Sequence, residues 1–443
     1  MVEANLQIIK ELKLFLENLS SDIEFRKALF QSETDFIRDR KLPLERVIGI
    51  LINMPKRSLS IEIQDFFNSL GKQSEHVTKA AFSIQRTKLK PVFFHVWNQC
   101  LVIWFYHYYQ DKIKLWRGFV VQAVDGSSAY LLNKEEIREH FGTQENQYTS
   151  VPMARIMQIQ DVLNDITIRG GIFPILKSEQ SIMASWVSGL REDSLTLFDR
   201  GYPGYALMYL MINQETARHF VIRCKLDFNK EVKAFVKSKS NSEIVALKPS
   251  GKAKTALLEN GYVVNSKTII KVRMVKVKLS SGVTEVLLTN LYDEELYKVS
   301  DFKFLYGLRW KIETSYDKQK NQQQMEQFSG HRVICIEQDY GACLIVANLQ
   351  SLIEKQCENY LEKINARRKI CYKINKNVSW GSLKYNIVKL FLEERPREIL
   401  EHLRIAFERN IEPIRPGRQN PRIKKRNRLN GKYQTFTNYK RAI

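Results

Sequence analysis

The chain has 443 residues, 44% hydrophobic and 27% charged, with 70 Lys and Arg against 48 Asp and Glu and a formal charge of +22. That length exceeds one ordinary domain, and that hydrophobic content excludes a disordered or fibrous chain. A positive surplus of this size points to a polyanionic partner, either nucleic acid or an acidic membrane, beyond what solubility needs. The most apolar stretch, Val92 to Tyr109, is interrupted by His95, Asn98, Gln99 and His107. It lacks the run of about 20 apolar residues that spans a bilayer, so no membrane partner is expected. The first nineteen residues read as an amphipathic helix with interspersed charges rather than a signal peptide. Cys100, Cys224, Cys335, Cys343, Cys357 and Cys371 form no close pair. They suggest neither a disulfide framework nor a zinc site and suit a cytoplasmic protein.

In chain order, residues 1–110 read as helical. Ser21 and Glu24 have the spacing of a capping box. The segment SEHVTKAAFSIQRTKLK carries Lys79, Arg86 and Lys88 and has the look of a recognition helix, or equally of a solvated basic helix. From Arg117 the periodicity changes. GFVVQAVDGS is an apolar run ending in Asp125 and a glycine, as a buried strand would. ARIMQIQDVL and ITIRGGIFPI read as the next two strands. A helical segment from Ser178 to Leu190 follows, then the buried strand SLTLFDRG ending in Asp199. A helix from Tyr205 to Ile212 and the strand HFVIRCKL complete an order of three strands, helix, strand, helix, strand, that of an RNase H-like mixed α/β sheet. Residues 227–298 are strand- and lysine-rich and read as a β-rich insertion subdomain, with KTIIKVRMVKVKL giving one partly basic strand face. A long helix is expected from Ser300 to Gln324 and another from Tyr340 to Leu361. The expected organisation is therefore 1–110 helical and DNA-binding, 111–226 and 299–362 the two parts of the core, 227–298 the insertion, and 363–443 helical and basic. Residues 412–443 hold ten Lys or Arg and one acid, Glu412, with Tyr433, Phe436 and Tyr439 interleaved, which suits a DNA or dimer contact.

Cutting a phosphodiester requires an activated nucleophile and a stabilised leaving oxyanion. Two Mg2+ ions about 4 Å apart supply both, and Mn2+ can substitute. Carboxylates at the ends of buried strands would hold such ions, and Asp125 and Asp199 stand in that context. A turn former or helix cap is the plain alternative for each. The third element is the segment FKFLYGLRWKIETSYDKQK. On a helix of about 100° per residue with Tyr306 at zero, Arg309, Glu313 and Lys320 fall at about 300°, 340° and 320°, within one arc of about 60°. Leu305, Leu308, Ile312 and Tyr316 form the neighbouring apolar stripe. One acid is thus flanked by two cations and a phenol, as metal binding beside phosphate clamps requires. A surface ion pair between Arg309 and Glu313 is the structural alternative.

The spacing Y-x2-R-x3-E-x6-K resembles the signature of the insertion-sequence-4 family of bacterial DDE transposases. The first two carboxylates sit in the same strand–DGS and strand–DR contexts, and the resemblance covers roughly residues 117–330. It implies that Asp125, Asp199 and Glu313 are the catalytic metal ligands, that Tyr306, Arg309 and Lys320 contact the transposon end, and that Arg200 lies at the site edge. It further implies cleavage at double-stranded terminal inverted repeats, 3'-hydroxyl strand transfer into target DNA, a homodimer in the synaptic complex and a nucleoid location. Some relatives place a tryptophan in the β-insertion to stack on a flipped base, whereas residues 227–298 contain none. Tyr262, Tyr292 or Trp310 are the candidates, with Trp310 expected to pack against a neighbour. A nuclease or resolvase without strand transfer, or a catalytically silent DNA-binding derivative, are the alternatives. The seven histidines form no metal-ligand spacing.

Overall fold

The computed structural model describes residues 1–19, 22–38, 40–75, 77–145, 149–279, 282–393 and 395–415. The chain divides into two compact units, Met1–Lys88 with Lys318–Gln324 and Leu349–Ile443, and Leu89–Asp317 with Met325–Asn348.

The second unit is built on a nine-stranded mixed sheet. Its strands are β1 (Val120–Tyr130), β2 (Thr143–Glu145), β3 (Ser150–Asp161), β4 (Ile166–Pro174), β5 (Ser194–Phe198), β6 (His219–Cys224), β7 (Ser242–Leu247), β8 (Ile270–Lys278) and β9 (Thr284–Thr289). The order is β2-β3-β1-β5-β6-β9-β8-β7, with β4 also paired to β3. β1, β5 and β6 run parallel, and the other pairings are antiparallel. The central strands are apolar because they are covered on both faces: β5 is buried along its whole length. Among the described residues no helix is long and apolar enough to cross a membrane.

Two helices, Val92–Tyr108 and Val333–Lys355, show how the sheet is covered. Val92–Tyr108 packs on β4 and buries Phe93, Phe94, Trp97, Leu101 and Phe105. The Asn98 side-chain amide donates to the Thr167 carbonyl at 3.2 Å, and the Asn348 amide donates to the same carbonyl at 2.9 Å. These bonds satisfy polar groups that burial would otherwise leave costly. Elsewhere, the helices Glu179–Ala184, Tyr205–Ile212, Lys230–Lys237 and Gly251–Glu259 contribute Ile182, Met208, Phe235 and Leu257 to a cluster with Val124, Phe198, Ile222 and Val272.

The first unit is helical. Val2–Asn18 buries Leu6, Ile9, Leu12 and Leu16, the stripe of an amphipathic helix, and packs on Pro396–Arg409. Leu44–Ile52 packs on Ile387–Leu392. Two short strands, β10 (Tyr372–Ile374) and β11 (Ile411–Pro413), pair antiparallel.

Several expectations change. The helix Val92–Tyr108 groups with the sheet and not with the N-terminal helices, because its aromatic residues need a broad surface to cover. Segments from both chain ends share one unit. The stretch 227–298 contains two helices as well as strands, and its strands extend the core sheet through the β6–β9 pair. The expected helix from Ser300 to Gln324 is broken into Val299–Gly307 and Trp310–Asp317, followed by a π-helical turn, Lys318–Gln322. The helix Ile23–Leu29 is capped by Asp22, which accepts from the N–H groups of Glu24 and Phe25. Ser21 lies outside the described residues, as does the basic tail after Arg415.

Candidate active site

Neighbouring parallel strands carry the two aspartates. β1 and β5 pair from Val120–Ser194 to Ala123–Leu197, and Asp125 and Asp199 each stand two residues beyond that last pair. They therefore lie at one level of adjacent strands with the same side-chain parity. Asp125 is not at a strand end as expected. β3 goes on pairing with β1 past Asp125, opposite Gln158, as far as Tyr130 opposite Met153. Asp199 follows the last residue of β5, and its carboxylate accepts the Gly201 N–H at 2.6 Å.

The acid of the helix comes from a segment with altered pitch. At the break, the N–H groups of Leu308, Arg309, Lys311 and Ile312 bond three residues back, tightening the turn. Ile312 and Tyr316 are buried, and the Tyr316 hydroxyl donates to the Asp125 carbonyl at 2.9 Å. That bond ties the helix to β1. Arg309 donates to the Glu313 carboxylate at 2.8 Å, and its guanidinium carbon lies 4.9 Å from the Trp310 ring and 6.0 Å from the Tyr306 ring.

Electrostatics bring these groups together. Burial pushes the Asp125 carboxyl up to about 7; Asp199 and Glu179 add to this, while Arg309 and the Gly126 N–H oppose it. Burial likewise raises the Tyr306 hydroxyl to about 12, with Arg309 opposing and Asp199 adding. The Tyr306 hydroxyl and Arg309 Nε are both buried without a hydrogen-bond partner. Such atoms are costly unless a ligand completes them.

Among the described residues no three His, Cys, Asp or Glu side chains stand close enough together to hold a metal ion. Glu313 is instead drawn to Arg309. The donor chemistry nevertheless fits a hard divalent cation: Asp125 is a buried carboxyl disfavoured as an anion, with the Asp199 carboxylate acting on it as a like charge.

Asp125, Asp199, Tyr306, Arg309 and Glu313 thus belong to one neighbourhood. Arg200 is exposed beside Asp199, and Lys320 is half-buried in the π-helical turn of the first unit. Of the N-terminal basic residues, Lys79 is exposed and Lys88 pairs with Asp35 at 3.8 Å. Arg86 is only 2% exposed, so it is not presented to a DNA surface. It shares the buried stripe of its short helix with Phe82, its guanidinium carbon 5.7 Å from that ring. Trp310, expected to pack, is 55% exposed. Tyr262 packs edge-on against Tyr209, and Tyr292 donates to the Lys271 carbonyl.

Three residues escaped the sequence reading. Glu179 accepts from Arg155 at 2.6 Å and from the Tyr202 hydroxyl at 2.9 Å. An acid in the first turn of a helix is too common to single out, and the pairing with β3 is not visible in one dimension.

Residues 177–349 match the family model described as a transposase DDE domain, a span that contains Glu179, Asp199, Arg309 and Glu313. The protein named "Putative transposase InsZ" of Escherichia coli (strain K12) is 24% identical over 220 residues, 47% of this chain and 71% of that protein. These two matches support a DDE transposase. The chain also aligns with a piggyBac transposase synaptic complex with hairpin DNA, at 11% identity and TM-score 0.43, over 95% of this chain and 88% of that one.

Proposed function

We propose that the protein is an insertion-sequence transposase of the insertion-sequence-4 type, whose β1–β6 sheet is an RNase H-like core. Asp125, Asp199 and Glu313 are its catalytic carboxylates. The observation that carries this reading is the level placement of Asp125 and Asp199 on parallel neighbours, with Arg309 and Glu313 beside them. The transposase DDE domain match supports it.

Asp125, Asp199 and Glu313 would hold Mg2+, or Mn2+ in its place. When bound, the metal supplies an activated nucleophile and a stabilised leaving oxyanion. The chain's own residues do the rest. Arg309, always charged, orients the Glu313 carboxylate through its planar fork and offers its free Nε to a phosphate oxygen. Tyr306 presents a protonated hydroxyl as a second donor. Tyr316 fixes the helix against the Asp125 backbone. Arg200 and Lys320 complete the contacts to the transposon end, and exposed cations such as Lys79 add phosphate contacts. The product is a cut end whose 3'-hydroxyl joins target DNA, within a complex of two protomers and two ends.

The test is Mg2+-dependent cleavage of a labelled duplex carrying the DNA that flanks the protein's own coding sequence, with wild type beside Glu313→Gln. Wild type is expected to free a 3'-hydroxyl at the end and to join it to target, while Glu313→Gln binds without cutting. Cleavage with no joining would replace the transposase by a hydrolytic nuclease. Binding without cleavage by wild type, in Mg2+ and Mn2+ alike, would overturn the catalytic assignment.

A further inference from the structure

Glu179 opens a short helix between β4 and β5 and touches three parts of the site. Its carboxylate takes the Arg155 guanidinium from β3 at 2.6 Å. It also takes the hydroxyl of Tyr202, which is 1% exposed, three residues after Asp199. The third contact is with the backbone beside Asp125: a Cβ at position 126 would collide with both Glu179 oxygens, so only glycine admits the carboxylate there. The clamp joins β1, β3 and the loop after β5, the segments that set Asp125 against Asp199.

A clamp alone needs no charge, since a neutral amide could hold both partners, its oxygen accepting from Arg155 and its NH2 donating to the Tyr202 hydroxyl. A carboxylate adds a negative charge where Asp125 and Asp199 already repel each other. Asp199 and Glu179 both act on Asp125 as like charges, Arg309 opposes them, and Arg155 pairs with Glu179. Independently, the Tyr306 hydroxyl, 6% exposed and without a hydrogen-bond partner, lies in reach of Asp199 and leaves a donor at the same place that nothing in the protein satisfies.

We infer that Glu179 is a positioning residue of the metal site. It acts from outside the ligand shell, holding Asp125 and Asp199 at their separation and adding negative charge that raises affinity for a divalent cation. This rests on the catalytic reading above.

The experiment is Mn2+ binding to the full chain without DNA, measured by loss of the free-ion electron paramagnetic resonance signal. Wild type is compared with Asp125→Asn, Glu179→Gln and Tyr202→Phe, and each variant's thermal melting is recorded. Glu179→Gln, whose amide oxygen can still accept from Arg155 while its NH2 donates to the Tyr202 hydroxyl, is expected to melt as wild type does and to bind Mn2+ at least about tenfold more weakly, the usual cost of losing an outer-shell group. Tyr202→Phe keeps the charge and removes one bond, so its loss should be smaller, and it carries the test if Glu179→Gln fails to fold. Wild-type affinity in Glu179→Gln, alongside loss of binding in Asp125→Asn, would overturn the role of Glu179 and leave the catalytic reading intact. An equal or larger loss in Tyr202→Phe would place the effect in the scaffold and overturn the charge argument. Equal Mn2+ binding by wild type and Asp125→Asn would bring down the catalytic assignment itself.

Discussion

Two regions supply the candidate carboxylates, and they are held differently. Asp125 sits within β1 and Asp199 directly after β5, where a parallel ladder sets their level and β3 continues the support of β1 past Asp125. Glu313 sits on a helical run that tightens at Leu308–Arg309 and widens into a π-turn from Lys318. Such changes of pitch often mark functional hinges. Its carboxylate is turned toward Arg309. The strands thus provide a fixed pair of acids, and the helix provides a third whose direction depends on its partner.

The largest effects should come from breaking the fixed pair. Asp125→Asn and Asp199→Asn are each expected to lower the single-turnover cleavage rate by at least about a thousandfold, the scale seen when one member of a catalytic unit is removed. Mn2+ affinity should fall by about a hundredfold in these two and by no more than about tenfold in Glu313→Gln. Equal losses at all three positions would erase the distinction between strand and helix. A smaller effect tests the partner of Glu313. Arg309→Lys keeps the charge but loses the planar fork, so cleavage should fall about tenfold with Mn2+ affinity little changed. An unchanged rate would mean that Arg309 does not aim the Glu313 carboxylate.

The strand half of the site was legible because burial on both faces leaves continuous apolar runs. SLTLF and HFVIRC stand out for that reason, as does the helix Tyr205–Ile212 between them. The extension of β1 through Gly126, Ser127 and Ser128 was not, since such small residues carry little strand signal and only pairing with β3 imposes it. Gly307 was a visible hint of the helix break, but the wheel that groups Tyr306 with Lys320 treats the segment as one uninterrupted α-helix. The union of β6 with β9 depends on residues more than sixty positions apart, and the burial of Arg86 depends on what its short helix packs against. Local pattern found the elements; their partners came from long-range contacts.

The smallest expected effect on chemistry tests how well the fixed pair is insulated from the packing beneath it. Gly341 lies where the helix Val333–Lys355 crosses Phe94, and a Cβ there would come within 2.6 Å of the Phe94 Cβ. Gly341→Ala must push two well-packed segments apart, at a cost of about 2 kcal/mol. That corresponds to a fall in melting temperature of about 4–8 °C for a unit of this size. The neighbouring Tyr340 hydroxyl accepts from Gln158, which stands opposite Asp125 in the β1–β3 ladder, so a route from this packing to the site exists. If backbone pairing alone sets Asp125, cleavage per folded molecule should stay within about twofold of wild type, because the ladder absorbs a side-chain shift without changing register. A rate per folded molecule that falls about tenfold would instead show Tyr340 steering Asp125 through Gln158, and the strand acids would then be no more independent of their surroundings than Glu313.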